Sequence, residues 1–356
     1  MLRVMARPAF KNKRRNPYNF LLYSALQRCG VDVREYASSA LLSSPWDILH
    51  VHWPESLLET GSYLSARWSE GKYLFILDFV RRRGTRVVWT VHDLKPHDLV
   101  YPELETRFWA AVLERLDGII ALTQSGLTRA VEGFPRLQSL PAFVIPHGHY
   151  RGQYRNDLSR DEARQRLGLA EHSRVITYFG QIRPYKNVPR LIECVRRGDD
   201  DVVLLVCGRL SKRANLETEL RSAAGEDPRI RLLLEFIADD DVQQYLIAAD
   251  LLVFPYKDIL NSGSALLGLS FDRPILVPNR GAMQELQNIV GSDWVRTYDG
   301  DLDEAAIRDA LAWAAAPRGS RPQLHAFDWD VIGQQTLAAF QQICGGPAGS
   351  GAVDAA

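Results

Sequence analysis

Short apolar runs recur along the chain, separated by longer stretches whose apolar positions fall at helical spacing. Leu2–Ala6, Trp46–Trp53, Arg86–Val91, Gly118–Leu122 and Ala142–Ile145 read as strands. Helical patterns intervene at Tyr18–Arg28, Tyr63–Arg83, Glu103–Leu116 and Gln124–Glu132, the first introduced by Pro17 and stopped by Gly30. After Tyr150 the polar stretch Arg151–Asn156 reads as a hinge, and the alternation then resumes. Arg174–Phe179, Val202–Cys207, Arg231–Ile237, Leu251–Pro255 and Pro274–Val277 are expected strands; Val188–Arg197, Ala214–Ala224, Asp239–Ala249 and Ser264–Phe271 are expected helices. The pattern predicts an α/β chain of two domains, 1–150 and 151–325, with parallel, doubly wound sheets facing a central cleft. Leu302–Ala315 and Asp328–Ile343 read as closing helices, the segment 326–345 crossing back to the first domain, and 346–356 as a disordered tail.

In such sheets ligands bind at strand C-terminal ends. Three first-domain strands end in groups suited to chemistry: His52-Trp53-Pro54-Glu55; His92 and Asp93, followed by Lys95, His97 and Asp98; and Pro146-His147-Gly148-His149-Tyr150. The loop after Leu2–Ala6 carries Lys11, Lys13, Arg14 and Arg15, which can meet phosphate or simply stand in solvent.

Two second-domain turns suit a diphosphate. Tyr178-Phe179-Gly180-Gln181-Ile182-Arg183-Pro184-Tyr185-Lys186-Asn187 joins a buried strand to a helix start, with a glycine for close backbone approach and two cations. Tyr256 through Ser264 follows another strand, and Asn261-Ser262-Gly263-Ser264 opens an apolar helix whose N–H groups can converge on an anion. Each turn by itself is also an ordinary strand–helix connection, the second a plain serine cap. Their repetition in one sheet favours the anion. Neither is a GxxxxGK[ST] loop or a GxGxxG fingerprint. Asp239-Asp240-Asp241 reads as the capped start of a helix rather than a metal site.

Composition narrows the class. The 356 residues allow two domains, and the 46% apolar and 24% charged fractions are those of a soluble globular protein. Cys29, Cys194, Cys207 and Cys344 form no CxxC or Cys/His metal spacing, which fits a reducing cytoplasm. No apolar run is long enough to span a membrane and the start lacks a signal-peptide core. Surface attachment stays open: in Tyr63–Arg83, Trp68, Phe75 and Phe79 precede Arg81-Arg82-Arg83, as in a helix lying on an anionic membrane or in a core-facing helix with a solvated basic end. The net charge is zero, with an excess of base in residues 1–150 and an equal excess of acid beyond, and no nucleic-acid motif is present.

Taken together, these motifs resemble the two-Rossmann (GT-B) glycosyltransferases. Phe179-Gly180 with Arg183 and Lys186 is similar to that fold's donor-diphosphate loop; Asn261-Ser262-Gly263-Ser264, followed by Arg273-Pro274, resembles its second donor loop. His52-Trp53-Pro54-Glu55, Pro146 through Arg151 and the two loops together are similar to the bacterial β-mannosyltransferases that extend lipid-linked oligosaccharides for xanthan-type exopolysaccharide. The resemblance covers most of the chain, through Tyr298-Asp299-Gly300. It implies two Rossmann-like domains and transfer of a sugar, mannose from GDP-mannose, onto a glycan or lipid-linked oligosaccharide. The residues themselves add three expectations: peripheral contact of Tyr63–Arg83 with the inner membrane surface, no metal or other cofactor for want of a carboxylate cluster, and no nucleic-acid partner.

It departs from many retaining members, which carry two glutamates eight positions apart at the second loop. Here Ile259 or Leu260 and Leu267 stand there, in agreement with inversion. The diphosphate falls to Gly180, Arg183, Lys186, Ser262, Gly263 and Ser264; the donor sugar, by resemblance, to His92. An inverting enzyme needs a base for the acceptor hydroxyl. Glu55 is preferred, with Asp93 as alternative and Asp98 in reserve. His52, His147, Tyr256 and Asn261 are expected in the cleft, and Phe236 and Ile237 beside the nucleotide base. A retaining enzyme with another donor, a nucleotide-sugar epimerase and a non-catalytic sugar-nucleotide or glycan binder remain as alternatives.

Overall fold

The computed structural model describes residues 1–14, 16–94, 101–211 and 216–345. Lys95, His97, Asp98, Arg15 and the expected tail lie outside them. The chain divides into two compact units: Met1–Gly148 with the segment from Phe327 onward, and His149–Ala326.

In the first unit the strands are β1 (Arg3–Arg7), β2 (Asp32–Glu35), β3 (Ile48–Val51), β4 (Arg86–Val91), β5 (Gly118–Ala121) and β6 (Ala142–Val144). They form a parallel sheet in the order β2-β1-β3-β4-β5-β6. Helices cover both faces, so β3 and β5 are buried throughout and read as apolar runs rather than alternating patterns. The helix Tyr18–Arg28 ends at Gly30, whose φ of 83° allows Gly30 N to donate to Gln27 O and Val31 N to Leu26 O. The helix Trp329–Ile343 lies along it: a Cβ on Gly333 would meet Ala25 Cβ at 2.9 Å, and Arg28 pairs with Asp330 at 2.6 Å.

The second unit repeats the plan with β7 (Arg174–Phe179), β8 (Val202–Cys207), β9 (Ile230–Leu233), β10 (Leu251–Val253), β11 (Ile275–Pro278) and β12 (Val295–Tyr298), in the order β12-β11-β10-β7-β8-β9. Strand order reverses between β1 and β3 in one sheet and between β7 and β10 in the other. Such switch points open crevices at the strands' C-terminal ends.

Several elements differ from the sequence reading. β2 and β12 were not anticipated; both are sheet edges, and their sequences DVRE and VRTY are too polar for a buried run. β9 stops at Leu233, leaving Phe236 exposed beyond it. The helix after Asp239-Asp240-Asp241 begins at Val242, and Asp241 makes no side-chain cap. Helices Ser38–Ser43, Arg160–Arg166 and Gly281–Val290 were missed; the second carries a legible capping box in which Ser159 and Glu162 bond each other's backbone N–H. Among the described residues no helix is long and apolar enough to cross a membrane.

Candidate active site

In the second unit both phosphate-suited loops leave strands that flank the switch point, β7 and β10. Gly180 ends β7 with φ 133°, a region side chains other than hydrogen rarely adopt. A Cβ there would lie 2.3 Å from Ser264 Oγ, so the glycine lets the start of the helix Gly263–Ser270 approach the β7 backbone. Gly208, which the sequence reading passed over, does the same from β8: its Cβ would strike Gly180 O at 1.9 Å. Lys257 N donates to Tyr185 O at 2.9 Å, tying the two loops together.

Lys186 closes the short turn Pro184–Lys186 and is buried, its Nζ 4.0 Å from the Tyr256 ring centre. The aromatic face holds the ammonium in place without neutralising it. Arg183 is half-buried, and its Nη2 donates to Gln181 Oε1 at 3.1 Å. Ser262 is committed internally: its Oγ accepts from Ala265 N and lies 2.9 Å from Tyr256 Oη. The anion-binding capacity of this loop therefore rests on the helix's first N–H groups, which have no carbonyl four residues back within the helix. Gly263, Ser264 and Asn261 are half-buried beside it. Of the apolar residues at this loop, Ile259 is half-buried and Leu260 and Leu267 are buried.

In the first unit the strand ends gather a cluster of buried histidines. β3 pairs with β4 so that His50 faces Val88, and residues two apart share a face. His50 and His52 therefore meet Thr90 and His92. His50 Nε2 lies 2.7 Å from Thr90 Oγ1, Tyr23 Oη lies 2.8 Å from His50 Nδ1 and 2.6 Å from His52 Nε2, and His52 Nδ1 lies 2.8 Å from His92 Nε2. Trp53 stacks on His92 at 4.3 Å, and Tyr18 sits edge-on to His92 at 5.1 Å. His147, 4.7 Å from the Tyr18 ring, places Nδ1 2.8 Å from Gly148 O. Burial holds all four imidazoles neutral, lowering His50 to about 3 and His147 to about 4. Sequence reading named His52, His92 and His147 but missed Tyr23, His50 and Thr90. The paired i, i+2 spacing of His50/His52 and Thr90/His92 on neighbouring strands was the available signal.

Glu55 opens the turn Pro54–Leu58 that follows β3. Burial, and less strongly the charges of Asp93, Glu105 and Glu59, push its carboxyl up to about 8 against an opposing backbone hydrogen bond. The residue as a whole is half-buried. Asp93, also half-buried, is close enough to act on it. In the basic loop after β1 the backbone N–H groups of Ala9, Phe10 and Lys11 donate to the Glu35 carboxylate.

The sequence profile described as glycosyl transferases group 1 matches residues 159–266, which span both second-unit loops. A GDP-mannose:glycolipid 4-beta-D-mannosyltransferase of Xanthomonas campestris pv. campestris is 32% identical over 339 residues, 94% of this chain and 90% of that protein. Among solved structures, sucrose-phosphate synthase from Thermosynechococcus elongatus superposes with a TM-score of 0.67 at 14% identity over 96% of this chain and 99% of that one. WaaG, a glycosyltransferase involved in lipopolysaccharide biosynthesis, does so with 0.64 at 15% identity over 97% and 100%. The structural likenesses establish the GT-B fold, and the long sequence match establishes the family: this chain belongs to the group 1 glycosyl transferases.

Proposed function

We propose that the enzyme transfers mannose from GDP-mannose, with inversion, to a hydroxyl of a glycolipid acceptor in exopolysaccharide or cell-surface glycan synthesis. The observation that carries this reading is the sequence match to the Xanthomonas mannosyltransferase across 94% of the chain. In the proposed step the bond from the anomeric carbon to the diphosphate oxygen breaks as the acceptor oxygen attacks from the opposite face. The acceptor proton passes to ionised Glu55, and GDP leaves. Charge grows on the diphosphate, where Arg183, Lys186 and the N–H groups at Gly263 and Ser264 stabilise it; these groups take the part a metal plays elsewhere. The apolar Ile259 or Leu260 and Leu267 at the second loop support inversion.

The enzyme is further proposed to work on the inner membrane surface. Leu64, Trp68 and Phe75 form one exposed stripe on the helix Tyr63–Arg82, 79%, 69% and 63% exposed, with Lys72 and Arg82 along it. The acids of this helix are engaged elsewhere, Asp78 by Arg115 and Glu70 by Arg107. That leaves the stripe suited to anionic lipid.

The test is transfer of labelled mannose from GDP-mannose to a lipid-linked oligosaccharide, with and without a chelator, followed by determination of the product's anomeric configuration. A chelator-insensitive β-linked product is expected. Transfer from UDP-sugars alone would overturn the donor, an α-linkage the inversion, and conversion of the nucleotide sugar without acceptor would indicate an epimerase.

A further inference from the structure

The hydrogen-bond chain Thr90–His50–Tyr23–His52–His92 determines which nitrogen of His92 carries its proton. It has four links: Thr90 Oγ1 to His50 Nε2, His50 Nδ1 to Tyr23 Oη, Tyr23 Oη to His52 Nε2, and His52 Nδ1 to His92 Nε2. The first four members are fully buried, each imidazole being neutral, so each brings one polar hydrogen. Four hydrogens therefore meet four links.

A buried hydrogen without an acceptor is costly, so every one belongs in a link. Among the described residues the Thr90 hydroxyl meets an acceptor only at His50, which fixes the direction. Thr90 donates to His50 Nε2, His50 Nδ1–H to Tyr23, Tyr23 to His52 Nε2, and His52 Nδ1–H to His92 Nε2. Reversing any link strands a hydrogen further up the chain.

We infer that His92 is an acceptor at Nε2 and carries its proton on Nδ1, and that Tyr23 is the positioning residue that transmits this choice. His92 then offers a neutral N–H donor and no basic nitrogen. That excludes it as the base in glycosyl transfer and suits it to hold a substrate oxygen. The catalytic consequence rests on the reading that His92 touches the donor sugar; the tautomer itself does not.

The experiment is nuclear magnetic resonance of the full chain labelled with ¹⁵N-histidine, His92 being assigned by its loss in His92→Gln. His92 is expected to show a protonated Nδ1 and an unprotonated Nε2. The proton in the link to His52 is expected to couple through one bond to His52 Nδ1. A protonated His92 Nε2, or a doubly protonated ring, would overturn the inference on the native protein alone. In Tyr23→Phe the Nε2–H form of His92 is expected to become populated; an unchanged spectrum would remove Tyr23 from the assignment. The same variant should lose kcat severalfold with little change in KM for the donor. A shifted tautomer with unchanged kcat would uphold the chain and defeat the donor-sugar role of His92.

Discussion

Gly180 and Ser264 approach so closely that a methyl group on the glycine would stand 2.3 Å from the serine Oγ. The two residues belong to separate loops, one after β7 and one after β10, and this contact sets how far the cations of the first stand from the helix N-terminus of the second. Gly180→Ala meets two obstacles, the collision and a φ of 133°. Such backbone strain costs roughly 1–3 kcal/mol. Denaturant unfolding is expected to show that loss, and transfer to fall at least tenfold. Adding Ser264→Ala removes the collision but not the strain, so recovery should be partial; full recovery would show that the strain is unimportant.

Lys186 and Arg183 are expected to act on the leaving diphosphate. Removing a fixed donor to developing charge typically costs about 2–4 kcal/mol, or two to three decades in kcat. Lys186→Ala and Arg183→Ala should each reach that range in steady-state kinetics. Lys186→Arg should not restore activity, because the ammonium is confined against the Tyr256 ring and a planar guanidinium does not fit the same place. Losses below about threefold at both positions would remove the diphosphate assignment.

Glu55 sets the pH dependence. With its folded carboxyl raised to about 8, the base is mostly protonated at neutral pH, and kcat/KM should rise with pH through a limb near 8. Glu55→Gln should abolish transfer and leave donor affinity nearly intact; near-native transfer would mean that Glu55 is not the base.

Stability gives an independent reading of the same group. Below the unfolded carboxyl pKa both states are protonated and Glu55 contributes nothing. Between that value and about 8 only the unfolded state ionises, so the native state binds more protons and loses stability as pH rises. Glu55→Gln should therefore raise the melting temperature at pH 8 and leave it unchanged at pH 4. Equal effects at both pH values would contradict an elevated carboxyl.

The exposed stripe on Tyr63–Arg82 predicts lipid binding that depends on charge. Lys72 stands 5.2 Å from the Trp68 ring centre, where it can reach lipid phosphates while the indole enters the interface. A cation near an anionic surface contributes about 1 kcal/mol, so Lys72→Ala should weaken partitioning about fivefold. Co-sedimentation with phosphatidylglycerol vesicles, against phosphatidylcholine as control, measures it. Equal binding to both lipids would show that the charge is not involved.

Local features were legible in the sequence. The interior strands are covered on both faces, which forces apolar runs such as Arg174–Phe179 and Val202–Cys207. The loop from Gly180 to Lys186 could be read because a glycine, two cations and a helix start lie within a few positions. β2 and β12 escaped notice because an edge strand has one unpaired side and tolerates Asp, Arg and Thr. The seat of Glu35 on the N–H groups after β1 was not legible, because Glu35 is distant in sequence and arrives only through the pairing of β1 with β2.

The sequence by itself determined the alternation of strands and helices, hence a pair of parallel sheets, and named the residues at the strand ends. Only the tertiary structure decided which of those residues meet. Tyr23 reaches His52 across 29 positions, and His52 reaches His92 across 40. The first contact comes from packing a helix on the sheet, the second from the register of β3 on β4. Backbone conformation and apolar periodicity are written in neighbouring residues, whereas a buried hydrogen-bond chain exists only once register and packing have fixed several distant side chains at bonding distance.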